Sequence, residues 1–161
     1  MKRYFKIAGL VAAALLLQMT ILPKYLQDPF QPNLLIILVV YLGLKWPSRL
    51  AALGAFLIGL VQDSFSGIYL GLNAFSYLCI FTVLSGLADR LYTDNRALLV
   101  LVAFLATIAN AFLIVLMLAV FSVSYGVYAS VLPALIPQSL VNALVASIFF
   151  TFRLPTSEEA R

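Results

Sequence analysis

Six apolar runs divide this chain, and its ten basic and six acidic side chains all fall in the gaps between them or at their ends. The runs cover about residues 5–23, 32–45, 49–62, 68–88, 97–121 and 131–152. A spanning helix needs ~20 predominantly apolar residues, because the hydrocarbon core is about 30 Å thick. Only helices and closed barrels satisfy their own backbone polar groups in lipid. A chain patterned this way is expected to be an all-α integral membrane protein, one compact bundle of six transmembrane helices forming a single domain over residues 1–161. Its composition agrees: 64% hydrophobic and 10% charged, against roughly 45–50% and about 25% in soluble domains.

The gaps set the orientation. Lys2, Arg3 and Lys6 precede the first run, which resembles a signal peptide but lacks a small-x-small cleavage site after Met19-Thr20-Ile21-Leu22-Pro23. It reads as an uncleaved first membrane helix. With six spans the gaps alternate sides, and one side receives every basic residue except Lys24. The excess of Lys and Arg makes that side cytoplasmic, so both termini are expected there. The second and third runs are short enough to suggest a re-entrant hairpin instead. A hairpin would bury Lys45 and Arg49 at its tip, at ~2.5–3.5 kcal/mol each, so two spans are preferred. The second run then has to borrow flanking residues or pack inside the bundle. Pro32 suits a first helical turn there, and Trp46 suits the membrane interface.

Small residues mark where backbones can meet. Ala51, Ala55 and Gly59 share one face of the third run, and Ala8, Gly9, Ala12 and Ala13 share one of the first. Either face can serve internal packing or a partner helix. The third run is expected to end at Gln62-Asp63, followed by a polar turn with Ser66 and Gly67 and then Gly71. A carboxylate just behind a helix C-terminus opposes the dipole. Asp63 and Ser66 therefore read as caps for amides two or three residues on, or as an extracytoplasmic contact. Gln18, Asn73, Asn110 and Asn142 are the amides inside runs, where one per helix suffices to fix register through an interhelical bond.

These residues also carry a family resemblance. The apolar helix with spaced glycines, then Gln62-Asp63, Ser66-Gly67 and Leu70-Gly71, is similar to the signature of the MreD family of rod shape-determining membrane proteins. Pro32-Asn33, the leucines that follow and Tyr41-Leu42 resemble that family's earlier segment, where Asp stands as often as Asn. The resemblance implies a non-enzymatic scaffold of the bacterial cell-elongation complex in the cytoplasmic (inner) membrane, helping to direct lateral peptidoglycan synthesis and cell shape. It implies MreC as partner, with MreB and RodA with its penicillin-binding protein beyond. The loop Asp89–Arg96 is a candidate docking site for the filament protein. Partner helices would meet the chain on small-residue faces: Ala51, Ala55 and Gly59, or Ala8 and Ala12. Self-association stays open.

Other classes fit less well. No Walker loop, Gly-x-Ser-x-Gly elbow or His-Glu pair is present, histidine is absent, and Cys79 is the single cysteine. No cofactor, metal site or nucleic-acid partner is expected. Pumps and proton-coupled transporters need ionisable groups within the membrane, and the charged residues here fall only at the ends of the runs or between them. The alternative is a substrate-binding subunit resembling the S-components of energy-coupling-factor transporters, to which MreD-like proteins are similar in fold. In that reading the Ala/Gly face of the first helix meets a coupling subunit, and the turns at 62–67 and 122–130 cap a ligand. A vitamin site needs several convergent polar groups, and the amides look sparse for one.

Overall fold

A twelve-residue helix runs through the centre of the molecule. In the computed structural model, which describes residues 2–26, 30–66, 70–90, 95–121 and 126–153, helices account for most of the chain and no strand occurs among the described residues. The elements are α1 (Lys2–Leu16), a π-helical turn (Leu17–Ile21), α2 (Leu22–Tyr25), α3 (Leu34–Lys45), α4 (Arg49–Ser66), α5 (Leu72–Leu87), α6 (Arg96–Val120) and α7 (Gly126–Arg153). α1, the π turn and α2 form one continuous segment, so six helical segments follow one another. Two stretches, Arg96–Val120 and Pro133–Thr151, are long and apolar enough to cross a membrane.

α3 is the hub. It contacts α1, α4, α5, α6 and α7, and Leu35 to Val40, Leu42, Gly43 and Leu44 are all buried. A helix apolar all round belongs inside. At ~1.5 Å per residue its twelve residues extend about 18 Å, which suits a helix sheathed by its neighbours. Its first turn is capped by Asn33, whose side chain accepts from the amide of Ile36. Pro32 thus sits before the cap, outside the first turn. At the other end of α3, Tyr41 stacks edge-on against Phe149 of α7 at 5.8 Å and lies 6.4 Å from Trp46. One end of the bundle is therefore aromatic and flanked by Lys45 and Arg49; the opposite end is polar.

The π turn has a local cause. Pro23 has no N–H to donate, and the amide of Leu22 reaches back to the carbonyl of Leu17. The Gln18 carbonyl, which the amide of residue 23 would take in a continued π turn, loses its donor. Gln31 Nε2 fills the place at 3.1 Å. Widening the helix here turns Gln18 inward, the one buried residue of the turn. π-bulges commonly aim a side chain at a functional position.

A polar network as the candidate functional site

α4 continues through Gln62-Asp63 to Ser66, past the end expected from the sequence. The two polar residues lie in its last turns, and both point into the bundle's polar end. Asp63 is 2% exposed. Its Oδ2 accepts from the amides of Gly71 (2.9 Å) and Ala74 (3.1 Å), and its Oδ1 from the amide (3.0 Å) and Nδ2 (2.9 Å) of Asn73. Gly71 occupies the N-cap position of α5 with φ 104°, a left-handed conformation that glycine adopts without strain. Gly71 has no side chain to serve the orphan amides of the first turn, so Asp63 of the preceding helix does so. The positive end of α5 faces the carboxylate and offsets the unfavourable dipole of its own helix, in whose last turn it lies. Asp63 caps amides eight to eleven residues on, across the turn, and not those two or three residues on that the sequence suggested. The side chain of Ser66, and all of Gly67, lie outside the described residues.

The approach of α4 to α5 explains Gly59. A Cβ there would lie 2.3 Å from Ala74 Cα and 2.6 Å from Ala74 N, so only glycine lets the two backbones meet. Ala55 is fully buried and Ala51 packs partly against the core. Gly59 is therefore closed on α5 and Ala55 is buried within this chain, so neither presents an open surface to a partner helix, whereas Ala51 is half-buried and borders a groove on the α1 side. On α1 the arrangement differs. Gly9, Ala12 and Ala13 are exposed, and Gly9 has nothing within 4 Å of where a Cβ would sit. The side chain of Ala8 lies outside the described residues.

Beside Asp63, the amides converge in one connected network. Gln18 Oε1 accepts from the amide of Leu35 at 3.3 Å, and Gln18 Nε2 lies 3.4 Å from Gln62 Oε1. The Tyr77 hydroxyl accepts from Asn33 Nδ2 at 2.9 Å. Its single proton is shared between Gln62 Oε1, at 2.9 Å, and Asn33 Oδ1, at 3.1 Å. The Asn33 amide donates to Asn142 Oδ1 at 2.7 Å, Asn142 Nδ2 donates to Thr107 Oγ1, and Thr107 donates to the carbonyl of Ala103. Ser76 donates to Asn110 separately, joining α5 to α6. All six helical segments are tied by side chains at this end.

Several of these residues are not singled out by sequence. Gln18, Asn110 and Asn142 stand out as amides in apolar runs. Asn33 has the position of an N-cap after Pro32, a signal that also marks a capping side chain. Tyr77 has no such mark: it is one of eight tyrosines, and only burial shows that its hydroxyl requires partners. Among the described residues, no buried side-chain nitrogen or oxygen lacks a hydrogen-bond partner. The buried polar atoms that converge here each have at least one partner within the chain. Tyr77→Phe keeps the ring and deletes the shared hydroxyl. It is expected to cost about 1–2 kcal/mol, read as a lower unfolding temperature in mild detergent; an unchanged temperature would show that the network contributes no stability.

The sequence of this chain matches the family profile of the rod shape-determining protein MreD over residues 2–154. The chain belongs to the MreD family. No curated protein and no solved structure matches it. The match spans all six helical segments described above. Membership makes it a rod shape-determining membrane protein. The two long apolar helices, α6 and the 133–151 part of α7, fit insertion in a membrane.

Proposed function

We propose that this chain is a non-catalytic scaffold subunit of the bacterial cell-elongation complex. In this reading it crosses the cytoplasmic membrane six times, keeps both termini in the cytoplasm and binds MreC. Through that contact it helps to direct lateral peptidoglycan synthesis by RodA and its penicillin-binding protein, with MreB on the cytoplasmic side. The observation that carries the reading is the MreD family match over residues 2–154. The charge pattern supports the orientation, since Lys45, Arg49, Arg90 and Arg96 all fall at the aromatic end of the bundle. The polar network then lies in the extracytoplasmic half.

A scaffold needs a rigid body and an open face. Side-chain bonds linking all six segments supply the first. For the second, the outer face of α1 with Gly9, Ala12 and Ala13 allows the close approach that helix pairs use in lipid. The substrate-binding alternative has less support, because each buried polar atom of the network, among the described residues, already has a partner within the chain. Residues 91–94, the middle of the loop considered for filament docking, lie outside the described residues.

The test is affinity purification of the tagged protein from membranes in mild detergent, with mass spectrometry of proteins and small molecules. MreC or RodA-type proteins are expected to co-purify, several-fold less with Gly9→Leu and Ala13→Leu together, at an unchanged unfolding temperature. Recovery of ATPase coupling subunits with a bound vitamin-like compound would sink the scaffold reading.

A further inference from the structure

At the aromatic end, α1 and α4 do not close on each other. Between them runs a groove of about 410 Å³, lined by Val11, Leu15, Trp46, Ser48, Gly54 and Leu57 among others. This volume is within the range of ligand sites. The lining is apolar along its length, and its polar members, Trp46 and Ser48, belong to the α3–α4 turn at one end. That turn reads Lys45-Trp46-Pro47-Ser48-Arg49. Lys45 is half-buried and Arg49 is exposed, so two cations flank the residues at the mouth of the groove. The groove is thus apolar in its body, and at one end its lining residues Trp46 and Ser48 are immediate chain neighbours of the cations Lys45 and Arg49.

We propose that this groove holds one acyl chain of an anionic phospholipid, with the headgroup phosphate between Lys45 and Arg49. The charge complementarity selects the occupant. A transmembrane helix of a partner would match the apolar body but not the paired cations, and a zwitterionic lipid would match the body with its ammonium opposing the rim. A basic pocket between helices on the cytoplasmic side is the arrangement that recognises anionic headgroups, and an indole beside it sits at the headgroup level. The Gly54 position leaves room for the chain: a Cβ there would meet nothing within 4 Å.

The experiment is native mass spectrometry of the intact purified protein with phosphatidylglycerol and phosphatidylcholine of identical acyl chains, added at equal concentration. The wild type is expected to retain the anionic lipid in preference, by about fivefold for each engaged cation. Lys45→Gln with Arg49→Gln should bring the two lipids to near-equal retention. Gly54→Leu projects a side chain from a groove-lining position whose Cβ meets nothing within 4 Å, and should lower retention of phosphatidylglycerol, leaving the unfolding temperature unchanged. Equal retention of both lipids by the wild type would overturn the proposal. So would a preference that survives the double substitution, or one that Gly54→Leu leaves intact. None of these readouts depends on MreC, so the site and the scaffold reading fail separately.

Discussion

Replacing Asp63 by alanine is expected to destabilise the protein by about 3 kcal/mol or more, with a clear loss of unfolding temperature in mild detergent. Each hydrogen bond to a charged acceptor contributes roughly 1.5–3 kcal/mol, and a buried donor left without a partner adds its desolvation cost. Asp63 satisfies four donors at the start of α5, and water has little access to a residue 2% exposed. Asp63→Asn is the sharper probe. An amide keeps one oxygen, which serves the donors on one side, but turns its NH₂ toward the donors on the other. Asparagine is therefore expected to recover only part of the loss. Full recovery would mean that charge and the second oxygen contribute nothing, and that the cap is not what holds α5 to α4.

Gly59→Ala is expected to be nearly as damaging, at about 1–3 kcal/mol or above, although it adds a single methyl. The atoms in its way are the backbone of Asn73 and Ala74, at 2.3–2.8 Å from the new Cβ, and backbone in a helix cannot rotate aside. α4 and α5 must separate, which also lengthens the bonds from Asp63 to the same two residues. Effects at Gly59 and Asp63 are thus expected to be coupled, with the double variant less destabilised than the separate losses would suggest. Gly54→Ala, one turn earlier on the same helix, is the control: its Cβ meets nothing, and stability should hold or rise slightly, since alanine favours helix over glycine. Equal behaviour of the two variants would show that the α4–α5 contact is looser than described.

Parts of this fold can be read from residue order. The apolar runs place the helical segments, because a backbone in lipid has to pair its polar groups within each run. Asp63 shows where such reading stops. Its type and position announce a capping carboxylate, but a cap is sought among the next few residues, and Asp63 reaches over the turn to the following helix. That choice follows from Gly71 standing where a capping side chain would otherwise be. The network shows the same limit: four amides are visible in the runs, yet the convergence of two of them, Gln18 and Asn142, with Asn33, Gln62 and Tyr77 depends on how the helices are rotated about their axes.

Sequence by itself determined that this chain is helical, which end of the bundle carries the cations, and the family to which it belongs; α4 runs on past its expected end to Ser66, and α7 begins at Gly126, inside the stretch 122–130 expected to be a loop. The tertiary structure alone decided which faces are inside. α3 became the sheathed centre, the Ala55/Gly59 face closed on α5, and the similar Gly9/Ala12/Ala13 face stayed open. In water, a polar face marks the outside of a helix. In a bilayer the surroundings are as apolar as the core, so lipid-facing and buried residues look alike along the chain. Only shape, in the form of a backbone contact that admits glycine and nothing larger, and the pairing of a few buried polar groups distinguish one face from another, and both exist only once the helices have met.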